Sequence, residues 1–338
     1  MVIECRPCFA VDVLCALAHG KRCRGSIQSL KKTVSSICRP LRICPSDWSL
    51  SVVLAQHMRP DEMERMDLTD LLLLYIDWME DSELISASRT DVAAALDAMR
   101  EMDFEWQYRR LCLPVVDEWC ERLNARLSEK DFHTLEQAVC AVRGEPALEA
   151  LRVYMSYFSY PNTFNLSEAL TVTSCRMGEQ VRLERLLPRM LHELLHGQFS
   201  QTLLERYTRL CGQDPFLMRT RQVQTTRYGS LAEEEFVSAL TLFLADQSEL
   251  VPPAEAYRRL SQGTGYSMPV AVLLYHALQE HGSLPELLDK WLYDCLDQIA
   301  GEESLEATVD EIVPGYTKNF EKLWKHEQPV RFRAALFM

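Results

Sequence analysis

The sequence contains no stretch of eighteen or more uninterrupted apolar residues, so no segment has the length in hydrocarbon that a membrane-crossing helix needs. It is also short of positive charge. Its 36 Lys and Arg face 49 Asp and Glu, a formal net charge of −13. A nucleic-acid binder concentrates cations against phosphate, and this balance argues against that class of partner. Cysteine, at 12 in 338 residues, is too sparse for a disulfide-stapled scaffold. No internal repeat or low-complexity tract organises the chain. What is present is ordinary for a globular protein, with 47% hydrophobic and 25% charged residues and enough length to bury a sizeable core.

Neither the cysteines nor the charges are evenly spread. Cys5, Cys8, Cys15, Cys23, Cys38 and Cys44 all precede Pro45. Residues 1–44 carry eight basic side chains against Glu4 and Asp12, a net of +6 that leaves −19 for the remainder. Three readings of this segment compete. Cys5-Arg-Pro-Cys8 has the spacing of half a zinc site, but Cys38 and Cys44 stand too far apart to be the other half. Phe9 to Ala18 has the apolar character of a secretory signal, but Glu4 and Asp12 interrupt it. The preferred expectation is a basic, thiol-rich extension over residues 1–45, loosely attached and dispensable. Cys112, Cys120, Cys140, Cys175, Cys211 and Cys295 are isolated in apolar surroundings, as buried free thiols are. This usage points to a reducing compartment and hence a cytoplasmic location, with secretion as an effector the other placement left open.

Hydrophobic periodicity predicts a helical region over 46–147, including Leu68, Leu71, Leu72 and Tyr75 on one face and a helix through Leu111, Val115, Trp119 and Leu123. Near Leu151 the pattern changes. Val153, Met155, Phe158 and Tyr160 have strand character, Pro161-Asn162 reads as a turn, and Thr163–Leu166 and Leu170–Ser174 are further short strands. The alternation Leu170-Thr171-Val172-Thr173 predicts a half-exposed edge strand. Beyond Gly178 the chain is helical again, over 184–200, 202–211, 231–246, 254–261, 269–281, 284–299 and 316–326. The expected class is mostly helical α+β. The expected segments are the extension, the helical region, a metal-binding core over 148–250 and a helical C-terminal subdomain over 251–338.

Met190-Leu-His192-Glu193-Leu-Leu-His196-Gly197 carries the chemistry. His192 and His196, at i and i+4 on a predicted helix, project one turn apart from one face, where both imidazoles reach a single zinc ion. Glu193 flanks the open position of such a metal and is placed to take a proton from water. Leu191, Leu194 and Leu195 would bury the rest of the helix. A catalytic zinc takes three protein ligands. The best source of the third is Glu233-Glu234-Glu235-Phe236-Val237-Ser238-Ala239. Ser230 and Glu233 read as a capping box, which gives Glu233 a structural role. Glu235 has small residues at i+3 and i+4, which favours it over Glu234 as the ligand.

With these motifs the chain resembles the gluzincin type of zincin metallopeptidase, over roughly Leu151 to Asp246. The resemblance implies Zn²⁺ held by His192, His196 and Glu235, Glu193 as general base, and a peptide or protein substrate. It also implies a zincin-like core: a small mixed sheet packed on the histidine helix, with Leu170–Ser174 as the edge strand that holds substrate. The metzincin positions for glycine and a third histidine are here Phe199 and Thr202, so that subgroup does not fit. An oxyanion donor is still required. Tyr266, after Gly263-Thr-Gly265, is preferred over Tyr228, Tyr275, His276 and Arg227. Two competing functions are a helical protein-interaction module with a structural or inactive zincin-like core, and a non-peptidase zinc hydrolase. The oligomeric state is not legible.

Overall fold

The computed structural model describes residues 2–19, 60–73, 89–148, 150–158, 164–167, 170–175, 183–225 and 232–334. Several of the sequence readings lie outside these residues: Cys23, Cys38, Cys44, the boundary near Pro45, Tyr75, Pro161-Asn162, Arg227, Tyr228 and Ser230. Among the described residues the protein is mostly helical with one small sheet, the expected α+β class. It divides into two compact units, Met1–Asp131 with Leu148–Arg182, and Phe132–Ala147 with Leu183–Met338. This division cuts across the expected segments, because the strands near 151–174 group with the N-terminal chain and the histidine helix does not.

The first unit contains β1 (Ile3–Pro7), α1 (Phe9–His19), α2 (Arg89–Glu101), α3 (Phe104–Leu111), α4 (Leu113–Ser128), β2 (Leu151–Ser156), β3 (Phe164–Ser167) and β4 (Leu170–Ser174). The sheet order is β1-β2-β4-β3. β2 runs parallel to both β1 and β4, with Ile3 opposite Leu151 and Arg152 opposite Leu170. β3 is antiparallel to β4. Parallel strands need cover on both faces, and α4 packs on β1 and β2 while α1 packs on β2.

These contacts correct the expectation of a detachable extension. β1 is an edge strand, and Asn124 of α4 closes it: the Cys5 amide donates to Asn124 Oδ1 at 2.8 Å, and Asn124 Nδ2 donates to the Cys5 carbonyl at 2.8 Å. Cys5 and Cys8 are core thiols, with Cys5 Sγ 3.5 Å from Cys120 Sγ. Asp12, which the sequence shows only as a charge interrupting an apolar run, is fully buried. Its carboxylate accepts from Tyr108 Oη at 2.6 Å, from Ser156 Oγ and from the amides of Tyr157 (2.7 Å) and Phe158 (3.3 Å). It thus ties α1 to α3 and to the end of β2. Burial raises its pKa to about 6 against the pull of those donors.

The expected edge strand is corrected too. β4 lies between β2 and β3, and Thr171 and Thr173 are as buried as Leu170 and Val172. Threonine alternating with aliphatic residues here marks β propensity on two covered faces.

The second unit is helical among its described residues: α5 (His133–Arg143), α6 (Leu183–Leu194), α7 (Gln201–Gln213), α8 (Pro215–Val223), α9 (Glu234–Gln247), α10 (Pro253–Leu260), a 3₁₀ turn (Gly263–Ser267), α11 (Pro269–His281), α12 (Leu288–Gly301), α13 (Leu305–Ile312) and α14 (Tyr316–Ala334). Its centre is α9, apolar almost all round, with Phe236, Val237, Leu240, Phe243 and Leu244 buried. Helices α5, α6, α10 and α11 pack against it. The short helices α8 and α13 do not appear in the hydrophobic pattern of the sequence. Asp214 caps α8, accepting from the amides of Phe216 and Leu217 at 2.8 Å each, and Ser304 caps α13.

Candidate metal centre

The histidines stand where α6 ends. The helix closes at Leu194, and His196 follows in a tightened turn, its amide donating to the Glu193 carbonyl at 3.4 Å. Gly197, at φ +74°, takes the left-handed conformation that stops the helix. Arg143 of α5 donates to the Leu194 carbonyl at 2.7 Å, supplying a partner to one of the last carbonyls. Pro188 sits inside α6 and has no amide hydrogen to offer the Glu184 carbonyl. Arg259 of α10 fills that gap, donating from Nη2 at 2.9 Å.

The third group of the cluster is Glu234, which corrects the assignment to Glu235. Glu234 Oε2 is 3.3 Å from His192 Nε2, and Oε1 is 3.8 Å from His196 Nε2. The two imidazole rings are 4.9 Å apart and nearly perpendicular. Donor atoms from His192, His196 and Glu234 all lie within 4.8 Å of one another, a set able to hold a metal ion. Burial raises the Glu234 carboxyl pKa, but the hydrogen bond from His192 and the charge of both imidazoles outweigh it and hold the group below its usual value.

Glu235 is one residue further round α9, about 100° away. Its carboxylate is buried in the core. It accepts from Tyr207 Oη at 2.6 Å, from Gln224 Nε2 at 3.0 Å and from the Ala271 amide in the first turn of α11 at 2.9 Å. It therefore joins α7 and α8 to the N-terminus of α11. Burial raises its pKa, and these donors oppose the rise. The small residue that matters is Ser238, which is i+4 to Glu234 and lines the same cleft.

Glu233 has a role the sequence reading did not give it. It occupies the N-cap position of α9 but makes no side-chain capping bond. Its Oε1 instead lies 2.8 Å from His196 Nδ1, and both its oxygens accept from the Gly197 amide at 3.1 and 3.0 Å. A carboxylate on one imidazole nitrogen fixes the ring and leaves the other nitrogen to a metal. The run Glu233-Glu234-Glu235 thus divides three ways, between orienting His196, joining the cluster and bracing the core.

Beside the cluster is a cleft of about 840 Å³, lined by helices and the 3₁₀ turn. His192, Glu193 and Glu234 lie at the cluster end, with Arg185, Pro188 and Arg189 along α6. Ser238, Thr241 and Leu242 of α9 also line it, as do Glu255, Arg258, Arg259 and Leu260 of α10. No strand lines it among the described residues.

Tyr266 is not among the lining residues; its ring stacks edge-on against Tyr316 at 5.8 Å. The turn that carries it is no loose loop. A Cβ on Gly265 would lie 2.4 Å from the Arg259 carbonyl oxygen, so only glycine allows this approach. Tyr316 Oη donates to the Gly265 carbonyl at 2.7 Å and accepts from the Met268 amide at 3.0 Å. Of the other described oxyanion candidates, Tyr275 is buried and His276 Nδ1 lies 3.0 Å from Tyr257 Oη.

No family model matches the chain, and no curated protein or solved structure matches it significantly.

Proposed function

We propose that this protein is a zinc-dependent peptidase whose general base is Glu193. The observation that carries the reading is the gathering of His192, His196 and Glu234 at one end of a peptide-sized cleft, with Glu193 lining the same end. The residues fit the metal. Tetrahedral zinc with bonds of about 2.0–2.1 Å separates its donors by roughly 3.4 Å. The cluster offers two imidazole nitrogens at 3.3 and 3.8 Å from carboxylate oxygens of Glu234. Two imidazoles and one carboxylate are a ligand set that zinc hydrolases use, with further positions open to water and substrate. When bound, the ion supplies Lewis acidity to the scissile carbonyl and lowers the pKa of water beside it.

The remaining work belongs to the chain. Glu193 accepts the proton of the attacking water and delivers it to the leaving amine. Glu233 holds the His196 ring so that its Nε2 faces the cluster. Ser238 and Thr241, the polar positions in the cleft-facing side of α9, offer hydrogen bonds to a peptide backbone. The proposal rests on this site and not on a zincin sheet-and-helix frame, since the sheet and the histidine helix belong to different units.

The test is Glu193→Gln in the zinc-loaded full chain, assayed against a degenerate peptide library. The expected result is full zinc content with cleavage reduced by about 10²–10⁴, the usual contribution of a general base. Undiminished cleavage in that variant, or none by the zinc-loaded wild type, overturns the reading.

A further inference from the structure

The arginines of the cleft are not equivalent. Arg258 Nε is 2.5 Å and Arg259 Nε 3.0 Å from Glu255, whose carboxyl they hold down at about 2, and Arg259 also serves the carbonyl freed by Pro188. Arg185 and Arg189 have no ion-pair or hydrogen-bond partner among the described residues, and both are exposed to the cleft. They lie one turn apart on α6, and Arg189 is one turn from His192 and Glu193. In a chain of net charge −13, these two guanidinium groups stand beside a candidate reaction centre without a direct ion pair, Arg189 feeling the charge of Glu193 one turn on.

A second observation comes from the floor. Thr241 is 4% exposed, lines the cleft, and its Oγ1 has no hydrogen-bond partner among the described residues. A buried hydroxyl left unpaired is unfavourable, and a bound ligand that pairs it removes that cost. His192 and Arg185, like Glu234 and Thr241, are separated by seven positions, or about 10 Å of helix at 1.5 Å per residue. An extended peptide advances about 3.3–3.6 Å per residue. Arg189 and Arg185 therefore correspond to positions roughly one to three residues from the scissile bond.

Resting on the peptidase reading above, we infer that the cleft selects substrates with a carboxylate one to three residues from the cleaved bond. Arg185 and Arg189 bind the carboxylate, and the Thr241 hydroxyl accepts or donates one hydrogen bond to the same segment. Planar guanidinium groups match a carboxylate with paired charge-assisted hydrogen bonds. That carboxylate is either an Asp or Glu side chain or a free C-terminus.

The experiment uses the zinc-loaded Glu193→Gln full chain and, in parallel, metal-free wild type. Fluorescein-labelled alanine-rich octapeptides are titrated by fluorescence anisotropy. They carry glutamate or glutamine at successive positions, each with a free or an amidated C-terminus. The expected result is about tenfold or greater preference for the carboxylate member of a pair, lost in Arg185→Gln/Arg189→Gln and shifted toward a lysine peptide by Arg189→Glu. Thr241→Val lowers affinity for every peptide without changing the preference. Preference for glutamate assigns a side chain, and preference for the free acid assigns the terminus. Equal binding of carboxylate and amide peptides, or no binding of either, overturns the inference. A carboxylate preference without cleavage by wild type leaves this binding site standing and overturns the peptidase reading instead.

Discussion

Replacing Glu234 and Glu235 separately by alanine should split metal binding from stability. Glu235→Ala leaves the Tyr207 hydroxyl and the Ala271 amide without their acceptor in the core, whereas Gln224 keeps the Ser267 carbonyl. Two unsatisfied buried donors cost about 1–3 kcal/mol each. Removing a carboxylate whose ionisation burial already disfavours returns part of that cost. The net expectation is a loss of roughly 3 kcal/mol. For a unit of this size that is about 6–12 °C in Tm. Glu234→Ala removes a half-buried group whose partners are two imidazoles with some access to water, so the metal-free Tm should move by no more than about 1 kcal/mol in equivalent. Its zinc affinity should fall by more than the roughly 10–100-fold that follows loss of an outer partner. Differential scanning fluorimetry in chelator reads the first quantity, and competition with a chromophoric zinc chelator reads the second. If Glu235→Ala keeps its Tm and loses zinc, the two glutamates have been assigned the wrong way round.

Other outcomes follow from the same geometry. Glu233→Gln should weaken zinc binding by about 10–100-fold, since the ring of His196 loses its charged orienting partner; an unchanged chelator titration counts against that role. Gly265→Ala should destabilise the metal-free protein by about 1–3 kcal/mol, because the new methyl overlaps the Arg259 and Leu260 carbonyls. Asp12 has a pKa raised from 3.8 to about 6 in the folded state, so its protonated form favours folding. Stability is full below about 3.8 and is lost as pH rises through about 6. The loss is roughly 3 kcal/mol and should be missing from the pH dependence of Asp12→Asn. Urea titrations of the two proteins between pH 4 and 7 measure it, and parallel profiles would refute it.

Local pattern carried much of this protein. Helices α6 and α12 are legible because an apolar stripe at helical spacing needs only the chain's own period to be seen, and α9 and α11 because their apolar runs are too long for a strand. His192, Glu193 and His196 are legible for the same reason: their spacing is local, and the end of α6 with the turn that follows it brings them together wherever that helix packs. The strands Leu151–Ser156 and Leu170–Ser174 were visible from composition. Their order was not, because pairing joins residues far apart in sequence, and β1, although Ile3 and Cys5 alternate with Glu4 and Arg6, is only five residues long. The place of the N-terminal segment in the core is not legible, because burial, which makes Cys5, Cys8 and Asp12 part of it, is a property of what packs around them.

The three glutamates show the division most clearly. Sequence alone placed an acidic run at the start of a helix that had to meet the histidines. Which of the three met them depended on the rotation of α9 about its axis. That rotation was set by packing: Phe236 and Val237 buried on other sides, and the carboxylate of Glu235 drawn to Tyr207, Gln224 and the α11 amide. A step of one residue turns a side chain by about 100°, so the sequence determined that a carboxylate joins the histidines, and only the tertiary structure decided that it is Glu234.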